Sequence, residues 1–505
     1  MAYVLIGFMG SGKSTFAGDL ARALGSNAHD SDALLERRVE RSIAEHFVLE
    51  GEEDFRAQEE RLVVEVLAEA AERDCVALGG GSVTSATVRA ALAAHTVILM
   101  DVPVAQCWDR VGGSKARPLA ADHAMFAELY DERSDLYAEL ADVVIVAPRR
   151  EQAPEFAREL TRRRDGVVML WAAAGGYPVH VGAGVLEHAC DLWPARLEGS
   201  RAFLVADRTV HALYGGRIEA AAGDYVLEPG EAHKTLAEAE RVWQALAGAG
   251  VTRADHLAAL GGGVTGDLAG FCAATYQRGV PVVQLPTTLV AQVDSAYGGK
   301  TGIDLPAAKN YVGSYHQPAG VLADVATLDT LPDAEVAAGW VEVAKTALIA
   351  GGALWQRVLD GAVRDERTIV GCARTKLQVV ARDERDAGAR QVLNLGHTVG
   401  HAIETATGYR RYRHGEAVGL GLLAALRLSD RPDLRERFGE MMTEHHLPTQ
   451  LEGAAPDAVL DALALDKKRD SAGVPFVLVG EPGEVTYGER VPQAAVRAAV
   501  EELCS

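Results

Sequence analysis

The sequence predicts an α/β protein in three parts: a parallel sheet covered by helices, a second α/β region, and a helical C-terminal region. Three observations carry this. Short apolar runs alternate with helical periods over 1–147 and again from 166 to about 332. Glycine-rich turns follow two of these runs directly, at Gly7–Ser14 and Gly261–Asp267. From about 333 to 465, strand signals almost vanish and Ala/Leu/Val helical periods take over. A length of 505 residues sets a prior of about three domains.

In the first part, strands are expected at Tyr3–Ile6, Val76–Leu78, Thr96–Met100 and Val143–Val146, with helices over Ser14–Leu24 and about 54–73. Runs this short and apolar suit parallel strands buried on both faces. The charged stretch around Arg158–Arg164 reads as a linker over 151–166, dividing domain 1–150 from 167–332 and 333–505. In the second part, strands are expected near 166–170, 203–206, 225–227, 256–260 and 282–285.

Composition narrows the function. Fifty Lys+Arg against 71 Asp+Glu give a net charge of −21, which argues against a nucleic-acid or anionic-membrane binder. Hydrophobic residues at 48% and charged residues at 24% match a globular chain. Six dispersed cysteines without a Cys-x-x-Cys argue against a disulfide framework and suit a reducing cytoplasm. No apolar run approaches the ~20 residues of a membrane span, and no signal peptide is read.

Gly7-Phe-Met-Gly10-Ser11-Gly12-Lys13-Ser14 fits G-x-x-x-x-G-K-[ST] between a strand and a helix. Its backbone N–H groups suit phosphate oxygens, Lys13 the terminal phosphates and Ser14 a Mg²⁺ ion. Asp30-Ser-Asp32 follows where a second strand should end; alone, it reads equally as a helix cap. Further on come Gly51-Glu with Phe55-Arg56, Gly79-Gly80-Gly81, Arg117-Pro-Leu in a glycine-containing stretch suited to a lid, and Arg133-x-x-x-Tyr137.

In this order the motifs resemble shikimate kinase over nearly all of 1–147. The resemblance implies ATP-Mg²⁺ at Gly10, Ser11, Gly12, Lys13, Ser14, Thr15, Arg110 and Arg117, with Asp30 assisting the metal. It implies shikimate at Asp32, Arg56, Gly80, Gly81 and Arg133, with Asp32 as base and Lys13 and Arg117 in catalysis. Ala120 departs from the usual Arg-Pro-Leu-Leu. The alternative for this domain is a ligand sensor without turnover.

In the second half, Gly261–Asp267 follows a strand and lets a backbone approach a pyrophosphate, although it lacks G-x-G-x-x-G spacing. His397 and His401 lie at i and i+4 on one helical face, and His414 follows shortly. Spacing alone selects these three as metal ligands, with Glu342 a further candidate. Lys300, Lys309, Lys345, Lys376 and Lys467 stand isolated beside glycine, asparagine or apolar residues, as cations meeting a phosphorylated acid would.

Together with Pro229-Gly-Glu-x-x-Lys234, Ala274-Thr-Tyr-Gln-Arg-Gly279, Pro286-Thr-Thr-Leu289, Asp383-Glu-Arg385 and Asp466-Lys-Lys468, these motifs resemble 3-dehydroquinate synthase over about 176–490. The resemblance implies a Rossmann-like NAD subdomain followed by a helical metal-binding subdomain. It replaces the spacing-based ligands with Glu342, His397 and His414 for Zn²⁺, Co²⁺ being able to substitute, and turns His401 to the substrate. It implies NAD at Asp207, Glu231, Lys234, Gly262, Gly263, Asp267, Thr287, Thr288, Asp294, Lys300, Lys309, Asn310, Thr327 and Thr330. It implies the heptulosonate phosphate at Asp294, Lys300, Asn310, Lys345, Lys376, Arg390, Asn394, His401, Lys467 and Arg278, with Lys300, Lys345, Lys376, Arg390, Asn394 and His401 catalytic. Arg278 would reach a neighbouring subunit, hence a homodimer. Ala296-Tyr297 and Thr209 depart from the common pattern without removing a charge. The expectation is a cytoplasmic bifunctional enzyme acting on small molecules; the rivals are a related sugar-phosphate cyclase and a glycerol dehydrogenase-like enzyme.

Overall fold

A computed structural model describes residues 1–113, 120, 122–306, 308–467 and 474–504. They form two compact units: 1–180 with 191–198, and 181–190 with 199–505.

The first unit is built on strands β1 (Tyr3–Ile6), β2 (Ala28–Asp30), β3 (Cys75–Ala77), β4 (Thr96–Asp101), β5 (Val143–Val146) and β6 (Val168–Ala172). They run parallel in the order β2-β3-β1-β4-β5-β6. The chain passes from β1 to β2 on one side and from β3 to β4 on the other. That reversal opens a crevice at the carboxyl ends of the strands, where ligands bind in such sheets. Three loops leave that edge: Gly7–Gly12 after β1, Asp30–Asp32 after β2 and Gly79–Gly81 after β3. The helix expected over 54–73 spans Ile43–Glu69 instead and is broken at Gly51, whose φ of 85° is left-handed. Ser42 and Glu45 cap its start reciprocally.

The stretch 151–166, expected to be a linker, belongs to this unit. Its helix Ala153–Leu160 buries Phe156 and Leu160 against Phe16, Leu20 and Trp171. Strand β6 then pairs with β5, so the unit continues past 166. Trp171, 2% exposed, donates its indole N–H to Gln152 Oε1 at 3.1 Å. The charged residues misled because a helix with one apolar stripe and a linker share surface composition.

In the second unit, following β7 (Tyr177–Gly182), come β8 (Ala202–Asp207), β9 (Gly223–Leu227), β10 (His256–Gly261), β11 (Val282–Pro286), an antiparallel hairpin of β12 (Lys300–Leu305) and β13 (Ala308–Tyr315), and β14 (Gly320–Asp324). The parallel order is β14-β11-β10-β8-β9. Apolar β8 and β10 pack against the helices Leu236–Gly248 and Gly263–Thr275. Beyond 332 the described chain is helical except for the hairpin of β15 (Pro475–Val479) and β16 (Val485–Arg490). No described helix is long and apolar enough to cross a membrane.

Two outcomes test this architecture. Trp171→Ala should destabilise the first unit by about 3–5 kcal/mol, and proteolysis under mild urea should cleave peptides of 1–180 at lower denaturant. His180 is buried, and burial lowers its pKa to about 4. The unfolded chain therefore takes its proton first as pH falls. Stability is full above about 6.5 and should drop by about 1.4 kcal/mol per pH unit from there toward 4. Urea midpoints across that range should flatten in His180→Gln.

Candidate functional site

In the first unit the loop Gly7–Gly12 takes φ of 139°, 83° and 91° at Gly7, Gly10 and Gly12, which a side chain would strain. A Cβ on Gly10 would lie 2.6 Å from the Cys107 carbonyl. The loop encloses the Lys13 ammonium, which donates to the carbonyls of Gly7 at 2.8 Å and Phe8 at 3.0 Å. Ser11 is buried, while Ser14 and Thr15 are exposed at the helix start. Arg110 donates to the Gly10 carbonyl at 3.0 Å. Phe8 rests on Phe126 at 4.8 Å and Tyr130 at 5.2 Å, anchoring the loop from below.

The expected shikimate residues converge on Gly79–Gly81. A Cβ on Gly79 would meet Asp32 Oδ1 at 2.6 Å, and one on Gly81 would meet the Arg56 guanidinium at 2.1 Å. The Gly80 carbonyl accepts from the Tyr137 hydroxyl. Arg56, Gly81 and Arg133 line one cavity of about 500 Å³. Asp30, expected near Mg²⁺, caps the helix Ser31–Val39 by accepting from the Ala33 N–H at 3.0 Å. Arg117 lies outside the described residues. Sequence reading missed Glu59, buried at 4%, which holds Arg56 Nη1 at 2.7 Å and accepts from Ser82 at 2.7 Å. Its signal was one helical turn of spacing from Arg56.

In the second unit a cleft of about 1290 Å³ lies at the carboxyl ends of β8, β10 and β11. Asp207, Glu231, Lys234, Gly262, Gly263, Asp267, Thr288, Lys309 and Asn310 line its sheet side. Lys234 donates to Asp267 at 2.6 Å and to Asn310. Asp207 also caps the helix Arg208–Tyr214. A Cβ on Gly262 would meet Thr288 at 2.9 Å, so the backbone itself faces the cleft there. Thr287, Thr327 and Thr330 do not line it. Thr327 is 1% exposed, with its hydroxyl committed to Asp324 and Gln292. Arg278 is exposed and away from the cleft lining.

Asp294, Lys300, Lys345, Lys376, Arg390, Asn394 and His401 line the same cleft. Each cation is paired: Lys376 with Asp294 at 2.8 Å, Lys345 with Glu342 at 2.6 Å, Lys300 with Asp386 at 2.5 Å. Arg390, 2% exposed, donates to the carbonyls of Gly298 and Glu384 at 3.1 and 2.7 Å. Burial would raise the Asp294 carboxyl, but Lys376 and Lys345 outweigh it and hold its pKa at about 2. The Lys467 side chain lies outside the described residues.

Glycines bring the third group together. A Cβ on Gly415 would sit 1.9 Å from the Ala338 carbonyl, and one on Gly421 would sit 2.0 Å from the Gly396 carbonyl. These contacts press the helix His414–Leu428 against Asp333–Ala350 and His397–Ala406. Glu342, His397 and His414 consequently offer ligand atoms all within 4.8 Å of one another. Glu342 Oε1 faces His397 Nε2 and His414 Nε2, both at 3.6 Å. Glu342 is 1% exposed, and neither of its oxygens makes a hydrogen bond. Lys345 beside it is an ion pair only. His397 Nδ1–H donates to the Leu395 carbonyl at 3.2 Å, which turns the Nε2 lone pair to the cluster. Burial lowers the His397 pKa to about 3, favouring the neutral, ligating form. A divalent cation fits this donor set: one orphaned carboxylate and two imidazoles. Spacing alone had preferred His401 over Glu342. His401 lies on the same helix as His397, but its ring completes a different set, with Glu404 and His414.

Comparisons with known proteins identify both parts of the chain. The family pattern of the 3-dehydroquinate synthase N-terminal domain matches residues 224–338, and that of its C-terminal domain matches 339–469. A 3-dehydroquinate synthase of Halorhodospira halophila (strain DSM 244 / SL1) is 41% identical over 352 residues, 66% of this chain and 99% of that protein. The chain belongs to the 3-dehydroquinate synthase family. The shikimate kinase pattern matches residues 9–163, so a kinase domain is fused ahead of the synthase. The chain is thus a bifunctional shikimate-pathway enzyme with kinase and lyase activities. Among solved structures, 2-epi-5-epi-valiolone synthase from Streptomyces hygroscopicus subsp. jinggangensis 5008, with NAD⁺ and Zn²⁺ bound, is 26% identical with a TM-score of 0.58, covering 65% of this chain and 96% of that one. A 2-deoxy-scyllo-inosose synthase complexed with carbaglucose-6-phosphate, NAD⁺ and Co²⁺ shares the fold at 24% identity and a TM-score of 0.59, covering 66% and 99%.

Gly421→Ala should wedge the helices carrying His397 and His414 apart. Assays of both activities on the full chain should show synthase turnover reduced more than 100-fold (an order-of-magnitude expectation from overpacking) and kinase turnover retained.

Proposed function

We propose that the cleft of the second unit binds NAD⁺ and a divalent metal and converts 3-deoxy-arabino-heptulosonate 7-phosphate to 3-dehydroquinate with release of phosphate. The observation that carries this is Glu342: a buried carboxylate, 1% exposed, with one oxygen facing two imidazoles at 3.6 Å beside a cleft crowded with cations. Glu342, His397 and His414 would hold Zn²⁺ or Co²⁺; the metal, when bound, acidifies the substrate hydroxyl it touches, and NAD⁺ supplies reversible hydride transfer.

The chain's own residues do the rest. Asp207 and the Gly262–Gly263 backbone suit the dinucleotide, with Lys234 and Asn310 fixing the floor of the cleft. Lys300, Lys376 and Arg390 balance phosphate and carboxylate charge. His401 and Asn394 present hydrogen-bonding groups to the sugar. Exclusion of water from the cleft would strengthen each of these contacts. Arg278, exposed and outside the cleft lining, would reach the partner's site in a homodimer. All six cysteines are unpaired, as in a reducing cytoplasm.

In the first unit, Gly10–Thr15 and Arg110 would bind MgATP. Arg56 and Arg133 would grip the shikimate carboxylate, and Asp32 would accept the proton of the 3-hydroxyl. This catalysis is positioning and charge neutralisation.

Phosphate release from the heptulosonate phosphate, followed beside A340, tests the synthase reading. Release should require both NAD⁺ and metal and leave no lasting A340 gain, with dehydroquinate as product. A steady A340 rise would mark a simple dehydrogenase, and a different carbocycle would mark another cyclase. For the kinase, shikimate-dependent ATP consumption should vanish in Lys13→Ala; binding without turnover in the unmodified protein would make the domain a sensor.

A further inference from the structure

We propose that Glu404 is a positioning residue that sets the orientation of the His414 imidazole and ties it, through Lys309, to the cofactor side of the cleft. The inference rests on the metal-centre reading above. Glu404 lies on the helix His397–Ala406, one turn beyond His401 and two beyond His397, and is 3% exposed. Its Oε1 lies 3.5 Å from His414 Nδ1 and accepts from the Lys309 ammonium at 3.3 Å.

An imidazole has two nitrogens, and the group holding one decides where the other points. His397 has a backbone partner for Nδ1, the Leu395 carbonyl. His414 has no such carbonyl hydrogen bond among the described contacts; the carboxylate of Glu404 faces its Nδ1 instead, leaving Nε2 toward Glu342. The need is greater at His414, whose side chain is 40% exposed against 13% for His397. Glu404 also meets a requirement of its own, since a buried carboxylate needs cationic partners. Lys309 comes from β13, on the hairpin that overhangs the cleft, and its ammonium lies 4.8 Å from the Tyr409 ring centre. One buried carboxylate therefore links a metal-facing imidazole to a lysine of the cofactor side.

The test uses the full chain stripped of metal by a chelator and titrated with Co²⁺. Stoichiometry, dissociation constant and visible absorption are read for the unmodified protein and for Glu404→Ala, Glu404→Gln and Glu404→Asp. Circular dichroism and a two-unit urea unfolding profile report that each variant is folded in both units. The affinity should weaken about 10–100-fold in Glu404→Ala, less in the isosteric Glu404→Gln, and recover toward the original in Glu404→Asp. The Co²⁺ absorption bands should shift at an unchanged one ion per chain. An unchanged dissociation constant in Glu404→Ala and Glu404→Gln overturns the proposal. So does a fall from two bound ions to one, which would make Glu404 a ligand with His401 and His414. His397→Ala separates the two readings: if it leaves Co²⁺ binding intact, the metal-centre assignment itself is wrong.

Discussion

The synthase half of this chain depends on how closely three helices approach one another. Gly415 lies against the Ala338 carbonyl and Gly421 against that of Gly396, at separations where a single methyl does not fit. The backbones therefore meet directly. His397 and His414 both begin their helices, so backbone packing rather than side-chain flexibility sets where their rings start. Glu342 emerges from the third helix into the space that remains, deep enough to lose water, with the Lys345 ammonium at 2.6 Å and the two imidazoles at 3.6 Å beside it. The electrostatics of the cleft follow from that placement. Burial alone would neutralise the carboxylate, and Lys345, His397 and His414 hold its pKa far below the ordinary range.

The first unit applies the same device to a different ligand. Gly79 and Gly81 leave room for Asp32 and for the Arg56 guanidinium, and Tyr137 fixes the carbonyl of Gly80 between them. In both units the site opens at the carboxyl edge of a parallel sheet, where loops leave the strands and backbone N–H groups are free to face a phosphate. Although the chain carries 21 more negative than positive charges, Lys13 lies in the first of these sites and Lys234, Lys300, Lys309, Lys345 and Lys376 line the second.

Much of this was readable from sequence. Short apolar runs located nine strands, because a buried parallel strand has few ways to be written. The strands β7 and β14 escaped, as did the hairpins of β12 with β13 and β15 with β16, in which glycine and polar residues at Gly302, Asp304, Gly313 and Gly488 interrupt the apolar signal. Helical spacing also selected a different trio from the one the helices gather around Glu342. It compares residues within one helix, whereas the choice of Glu342 over His401 is made by contacts between helices at Gly415 and Gly421. Resemblance supplied Glu342, and the geometry shows why it sits there. Glu59 and Glu404 left no motif, because a carboxylate that steadies a cation can be written at any position one turn away.

The pairing of the cleft's cations has a kinetic meaning. Lys376, Lys345, Lys300, Lys309 and Lys234 each already hold a carboxylate. An incoming anion does not meet bare charges; it trades places with internal partners that remain tethered nearby. Such exchange favours a ligand bearing several negative charges over one bearing a single charge. On the proposed reaction, loss of phosphate from the carbon skeleton would let the displaced carboxylates reclaim their lysines. The resting ion pairs would then act as a built-in competitor, one that grows more effective as the reaction goes forward.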